Sequence, residues 1–156
     1  MVPLTVHLLP WTGGQPLGAH LLPTFWAAFV AVYLYGVGGG MVVALTIPLL
    51  KFLATDQLLF EHAGRLTLEL MVFSALAALA VHRWPALRLI APLAWLQAKV
   101  LVLGLAWALP VFDPVTAPGE QFVTATTLAL PGLGVLLALN VALVTLLPKD
   151  QDWDTE

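Results

Sequence analysis

The sequence of 156 residues contains no cysteine and few charged side chains. The absence of cysteine excludes disulfides, thiolate zinc sites, cysteine-ligated iron–sulfur clusters, covalently attached c-type haem and cysteine nucleophiles. Charged residues make up 10% of the chain, whereas about a quarter is typical of a soluble domain. The formal net charge is -3, so the basic surface that binds nucleic acid is also missing.

Hydrophobic residues make up 60% of the chain, and the mean hydropathy is +0.94. A helix needs about 20 apolar residues to cross the hydrocarbon of a bilayer. We predict spans at residues 21–50, 63–82, 89–112 and 122–147, each bounded by charge or proline. These runs are continuous and lack the alternating polarity of a membrane barrel. The predicted fold class is all-α: a polytopic membrane protein with a four-transmembrane-helix bundle and short loops.

The segments on either side of the predicted transmembrane domain, residues 21–148, are short. Residues 1–20 are uncharged and contain three prolines, so we expect them to lie at the membrane surface with Trp11 as an interfacial anchor. No positively charged stretch precedes an apolar run there, so the pattern does not predict a signal peptide. Residues 149–156 form an acidic tail.

Basic residues in the loops predict the orientation of the chain. With four spans, the two termini and the second turn share one side of the membrane. That side carries Arg83, Arg88 and Lys149, whereas the opposite side carries Lys51 and Arg65. Because Lys and Arg in short loops favour the cytoplasmic side, we predict a bacterial cytoplasmic membrane protein with both termini in the cytoplasm.

The first apolar run contains a cluster of glycines. Gly36 and Gly40 form a GxxxG pair, which favours a close helix crossing because small residues let two backbones approach. The alternative is a hinge, or the close approach of a flat cofactor. The cluster does not have the spacing of a dinucleotide-binding loop, because Met41 stands where the third glycine is needed.

Aromatic residues precede these glycines: the sequence reads Phe25-Trp26, then Tyr33-Leu34-Tyr35, and then Gly36-Val37-Gly38-Gly39-Gly40. This segment resembles an early helix of polysulfide-reductase-type quinone-binding membrane subunits, which is aromatic and then rich in glycine. The resemblance covers a small part of the chain, and those subunits have more spans. It implies a quinone-proximal membrane subunit and carries over no site residue.

Pro131 lies inside the fourth run and removes one backbone donor, so a kink is expected there. The residue four positions earlier, Thr127, loses the partner of its carbonyl group. We expect the hydroxyl of Thr126 or Thr127 to help satisfy the backbone in this region.

Ionisable residues inside membrane spans are the best pointers to function, because hydrocarbon solvates them poorly. Glu61, Arg65 and Glu69 follow at steps of four in the second span, so they share one helix face, with His62 beside them. One interpretation is an interfacial charge ladder that neutralises itself and reaches outward. The other is a proton entry or a quinone-headgroup site in which Glu69 and His62 accept protons.

Three further polar residues lie inside the third and fourth spans. Lys99 is near mid-membrane, where a charge costs about 3 kcal/mol, and lysines lean toward the helix N-terminus, so pairing with Glu69 requires a vertical offset to be bridged. Gln97 faces nearly the opposite direction, so one of the two is expected to contact a partner outside the bundle. Asn140 is expected to form interhelical hydrogen bonds rather than to bind a ligand.

The histidines suggest an alternative cofactor. A b-type haem inside a bundle needs two axial ligands at matched depth, and His20 and His82 fall on one side of the membrane, both at its edge. No metal, protease or lipase signature is present. The sequence requires no cofactor, and a quinone or a b-type haem are the alternatives that stay open.

Small size, short loops and the divergence of Gln97 from Lys99 predict a small subunit of a larger membrane complex. We expect it to be accessory, anchoring or quinone-proximal, without catalysis of its own, in respiratory or redox electron transfer, and with other membrane subunits as partners. The alternative is an oligomeric ion-coupled transporter with Glu69 as the coupling carboxylate. A third hypothesis is a haem-binding membrane protein that uses His20 and His82.

Overall fold

The computed structural model describes residues 22–55, 60–108 and 117–149. These residues form four helices and no strand: α1 (Pro23–Thr55), α2 (Phe60–Arg83), α3 (Ile90–Ala108) and α4 (Pro118–Leu146). Each helix contains a stretch long and apolar enough to cross a membrane. The predicted all-α four-helix bundle of a multi-pass membrane protein is confirmed for this part of the chain.

Several helix ends differ from the predicted ones, and α2 begins at Phe60, three residues earlier than predicted. α1 continues past Leu50 to Thr55, and α4 begins at Pro118 rather than at Phe122. Proline is favoured in the first turn of a helix, because the N–H group that it lacks has no intrahelical partner there. The predicted surface segment at residues 1–20 and the tail from residue 150 onward lie outside the described residues.

α1 is folded back on itself at Gly36. This residue has φ 71° and ψ -164°, a backbone conformation that is open essentially to glycine alone. Beyond it, a β-carbon on Gly39 would lie 2.9 Å from the carbonyl oxygen of Ala31, and one on Gly40 would touch the side chain of Val32. In a straight helix, residues eight positions apart are separated by about 12 Å. Residues 23–35 therefore form a short arm, and residues 37–55 form a long arm.

The short arm packs inside the bundle. The ring of Phe25 lies edge-on to Phe73 of α2 and to Trp95 of α3, with centroid distances of 5.2 and 6.4 Å. At the opposite end of this arm, the hydroxyl of Tyr33 donates to the carbonyl oxygen of Leu147, just past α4, at 2.7 Å. At 1.5 Å per residue the short arm reaches about 20 Å and the long arm about 28 Å, so only the long arm matches a bilayer core of about 30 Å.

The bundle has two ends that differ in structure. The turn end contains Gly36, the turn at residues 84–89 between α2 and α3, and the end of α4. The groove end contains the end of α1, the start of α2, the end of α3 and the start of α4. Short connections place α2 and α3 antiparallel, so residues early in α2 lie near residues late in α3.

The two glycines of the GxxxG pair have different roles. A β-carbon on Gly40 would lie 2.9 Å from the β-carbon of Ser74 and 3.0 Å from its hydroxyl oxygen, so α1 and α2 cross closely at this point. A β-carbon on Gly36 would have no atom within 4 Å. The predicted packing role is therefore wrong for Gly36, which forms the reversal, and the crossing depends on Gly40.

α4 continues as one helix through Pro131. The hydroxyl of Thr127 donates to the carbonyl oxygen of Thr124 at 2.9 Å, and the buried hydroxyl of Thr126 has no hydrogen-bond partner among the described residues. Neither hydroxyl therefore donates to the carbonyl group that Pro131 leaves without its usual partner. Among the described helices, non-helical backbone angles interrupt α1 at Gly36, and the kink expected at Pro131 stays a prediction.

Candidate functional site

Three charged side chains from α2 and α3 meet inside the bundle, and we call Arg65, Glu69 and Lys99 the ion cluster. Lys99 Nζ donates to both carboxylate oxygens of Glu69, at 2.9 Å each. Arg65 lies one turn earlier on α2, with its Nε 3.6 Å from Glu69 Oε1. The side chain of Glu69 is 7% exposed and that of Lys99 17%. Both oxygens of a buried carboxylate are thus held by one cation, an arrangement of charge-assisted hydrogen bonds.

The lean of Lys99 toward the start of α3 is what brings it to Glu69. Its Nζ lies 5.8 Å from the ring centroid of Trp95, one turn nearer the helix N-terminus. Antiparallel packing places Glu69 at this level, so the long lysine side chain bridges the vertical offset. The charge ladder of α2 is therefore shared with α3 and does not simply reach outward. The side chains of Glu61 and His62 lie outside the described residues.

An aromatic layer closes the ion cluster on the side of the turn end. Phe73 follows Glu69 by one turn of α2, and Trp95 precedes Lys99 by one turn of α3. Phe25, at the start of the short arm, contacts both rings. All three aromatic side chains are buried. These three rings therefore pack between the ion cluster and the turn end.

Toward the groove end, the ion cluster opens into a cavity of about 490 Å³ between α2, α3 and α4, which we call the polar groove. Arg65 and Lys99 form one wall. The opposite wall is part of α4 and carries Glu120, Gln121 and Thr124. The remaining lining is small or apolar and consists of Leu103, Ala117, Ala125 and Leu128.

The α4 wall is the part of the site that the sequence analysis missed. We expected Glu120 to lie in a turn and α4 to begin at Phe122, whereas both Glu120 and Gln121 are in the helix. A signal was available, because Gln121, Thr124 and Leu128 recur at helical spacing from a proline suited to a helix start.

At the turn end, Asn140 makes the interhelical hydrogen bonds expected of it. Its side chain is fully buried, its Nδ2 donates to the carbonyl oxygen of Leu87 at 3.2 Å, and its Oδ1 accepts from the backbone N–H of Ala91 at 3.3 Å. Ala91 lies in the first turn of α3, where backbone N–H groups have no intrahelical partner. Asn140 of α4 therefore caps α3 from outside.

Gln97 and Lys99 point to different surroundings, as their spacing predicts. Lys99 faces the ion cluster, whereas Gln97 is exposed on the outside of α3. Gln97 lies in a shallow apolar depression of about 380 Å³ with Leu96, Val100 and Leu101, and we call these four residues the outer α3 face. Because Lys99 is paired within the bundle, the partner contact that we expected at one of the two stays a prediction for Gln97.

The haem hypothesis uses His20 and His82, and the proton or quinone hypothesis uses His62. Of these three side chains, the structure describes only that of His82. His82 is exposed at the end of α2, whereas His20 is not described, so the haem pair stays a prediction. Within residues 22–55, 60–108 and 117–149, no group of three or more His, Asp or Glu side chains could hold a metal ion.

Comparison of the chain with known protein families, with curated proteins and with solved structures finds no match. The resemblance of the glycine-rich segment to quinone-binding subunits therefore stays a prediction. Function is argued below from the outer α3 face, the ion cluster and the polar groove.

Proposed function

We propose that this protein is a small integral membrane subunit that packs against other membrane helices through the outer α3 face. The supporting observation is the exposed amide of Gln97 well inside an apolar helix. An amide has two donor hydrogens and an acceptor oxygen, and lipid tails satisfy none of them. A facing helix that offers a polar side chain or a small residue does.

Two exposed hydroxyls of the bundle do not need such a partner, because each is satisfied within its own helix. The hydroxyl of Thr46 donates to the carbonyl oxygen of Val42, and that of Thr127 donates to the carbonyl oxygen of Thr124. Gln97 forms no hydrogen bond with another described residue. Gln97 therefore differs from these two hydroxyls, and it lies well inside α3.

A role in electron transfer is the finer form of this proposal. It is supported by the small size of the chain and by the resemblance of its glycine-rich segment, rather than by the outer α3 face. The partners themselves test it, because a redox role requires that subunits with redox cofactors copurify with this chain in constant ratio.

The proposal is tested by purifying the tagged full chain from its native membranes in mild detergent and measuring the ratio of partner to chain by mass spectrometry. We expect stoichiometric partners for the wild type and a lower ratio for Gln97→Leu. Thr46→Val is the matched control, because it removes an exposed hydroxyl that is satisfied within its own helix. A wild-type chain without partners, or a Gln97→Leu variant with an unchanged ratio, contradicts the proposal.

The ion cluster favours a second candidate, an ion-coupled transporter in which Glu69 is the coupling carboxylate. Glu69 is buried beside Lys99, which lines the polar groove, and protonation would remove its charge-assisted hydrogen bonds with Lys99. Carboxylates in membrane spans commonly mark proton relays. A proton arriving through the groove would thus change the contact between α2 and α3.

This second candidate predicts proton flux into liposomes that contain the purified chain, driven by an imposed pH gradient and followed with a trapped dye. Glu69→Gln should abolish the flux, whereas Arg88→Gln, an exposed change at the turn end, should leave it intact. Equal flux with Glu69→Gln would exclude Glu69 as the coupling group.

A further inference from the structure

We propose that the polar groove binds the headgroup of a zwitterionic phospholipid that carries a primary amine. The phosphate would lie against Arg65, whose ion cluster carries a net positive charge, and the ammonium group would lie against Glu120. The proposed assembly through the outer α3 face does not require this site, whereas the transport candidate uses the same groove as a proton path.

The charges on the two walls of the groove have opposite signs. The ion cluster contains two cations and one carboxylate, so its formal charge is +1. Across the groove, Glu120 of α4 contributes -1. An anion alone meets an unfavourable charge at Glu120, and a cation alone meets one at the ion cluster. A headgroup with both signs matches both walls.

The depth of these residues fits the headgroup region of a bilayer. Arg65 is adjacent to Gly64, where the apolar span of α2 begins, and Glu120 is in the first turn of α4, whose span begins at Pro118. Lipid phosphates lie at this boundary, where Arg and Lys side chains commonly reach. Lys99 approaches the same groove from the deeper side.

The apolar part of the lining favours a lipid over a free zwitterion of the aqueous phase. Leu103 of α3 and Leu128 of α4 line the groove beside the charged residues, and Ala125 leaves room next to them. An acyl chain that follows these residues would lie along the bundle, whereas a soluble headgroup would leave the apolar surface uncovered.

The α4 wall distinguishes a primary amine from a quaternary one. The carboxylate of Glu120, the amide oxygen of Gln121 and the hydroxyl of Thr124 are hydrogen-bond acceptors. The ammonium group of phosphatidylethanolamine donates to such groups, whereas the methylated amine of phosphatidylcholine has no donor hydrogen.

The test is native mass spectrometry of the full chain in detergent with an equimolar mixture of phosphatidylethanolamine, phosphatidylcholine and phosphatidylglycerol of the same acyl chains. We expect phosphatidylethanolamine to be retained about tenfold more than phosphatidylglycerol. Glu120→Lys should reverse this preference, because the groove then has two positive walls and favours an anionic headgroup. Glu120→Gln should bring the two lipids close to equal retention.

Arg88→Gln is the matched control, because it removes an exposed arginine at the turn end and should leave the lipid preference unchanged. Equal retention of the three lipids by the wild type overturns the proposal, and so does an unchanged preference in both Glu120 variants. Displacement of the lipid by soluble glycerophosphoethanolamine overturns it in favour of a site for the free headgroup.

Discussion

The two ends of the bundle hold their buried polar groups in different ways. At the turn end, neutral side chains bond to backbone groups: Asn140 to Leu87 and Ala91, and Tyr33 to Leu147. At the groove end, charged side chains bond to one another beside an open cavity. Neutral bonds to the backbone fix helices at little electrostatic cost. A buried ion pair often contributes no more stability than apolar residues of similar size.

This difference separates the structural end of the molecule from its candidate functional end. The polar contacts of the turn end are neutral and directed at backbone groups near helix ends. The ion cluster joins α2 and α3 at a higher desolvation cost than neutral hydrogen bonds would require. It also borders the polar groove. Substitutions at the two ends should therefore differ in their effect on stability.

Removing the cation of the ion cluster should have the largest effect on stability. Lys99→Met leaves Glu69 buried without its bidentate partner, and such losses cost about 3–5 kcal/mol of unfolding free energy. Unfolding in mixed detergent, followed by circular dichroism, measures the loss. The double variant Glu69→Gln with Lys99→Met should recover a large part of it, because no buried charge is left unpaired. A Lys99→Met variant as stable as the wild type would show that the pair is not buried.

The largest loss at the turn end should come from Asn140→Leu. This change removes both hydrogen bonds of the amide and leaves the N–H of Ala91 without a partner, which we expect to cost about 1–3 kcal/mol. The same unfolding assay applies. Gln97→Leu is the amide control, since an exposed amide should add nothing to the stability of the isolated chain. A loss as large as that of Lys99→Met would remove the contrast between the two ends.

Adding a β-carbon at the reversal in α1 should lower the free energy of unfolding. Gly36→Ala places an alanine at φ 71°, where strain of about 1–3 kcal/mol is expected, although no neighbouring atom is close. Gly104→Ala in α3 also meets open space, but in helical conformation, so it should stabilise the chain by up to about 1 kcal/mol. Opposite signs for the two variants would support the reversal, and two stabilising variants would contradict it.

Tyr33→Phe should have the smallest effect of the series. It removes one hydrogen bond, from the hydroxyl to the carbonyl oxygen of Leu147, and keeps the buried ring, so a loss of about 0.5–1.5 kcal/mol is expected. The unfolding midpoint measures it, with Tyr35→Phe as control because Tyr35 is exposed. Equal midpoints for both variants would show that the bond contributes nothing.

The sequence predicted those features that depend on one helix at a time. Apolar run length located all four helices, and the spacing of Gln97 and Lys99 showed that the two diverge. The fold at Gly36 was not predictable, because a glycine run permits both a straight helix and a reversal, and packing of the short arm against Phe73 and Trp95 favours the reversal. The polar groove requires three helices at once, so residue spacing alone could not assemble it.

The short arm has the pattern of a helical peptide bound in the groove of a partner. Phe25, Phe29 and Tyr33 lie at steps of four on its buried face, with Ala28 and Val32 between them. Helical peptides are recognised through anchors at this spacing, and a tether raises their effective concentration to the millimolar range. Because the reversal at Gly36 is the covalent link between the arms, a chain divided there should reassemble from two coexpressed pieces. The short arm thus binds the rest of the bundle as a helical peptide ligand binds its receptor, with a covalent link between the two.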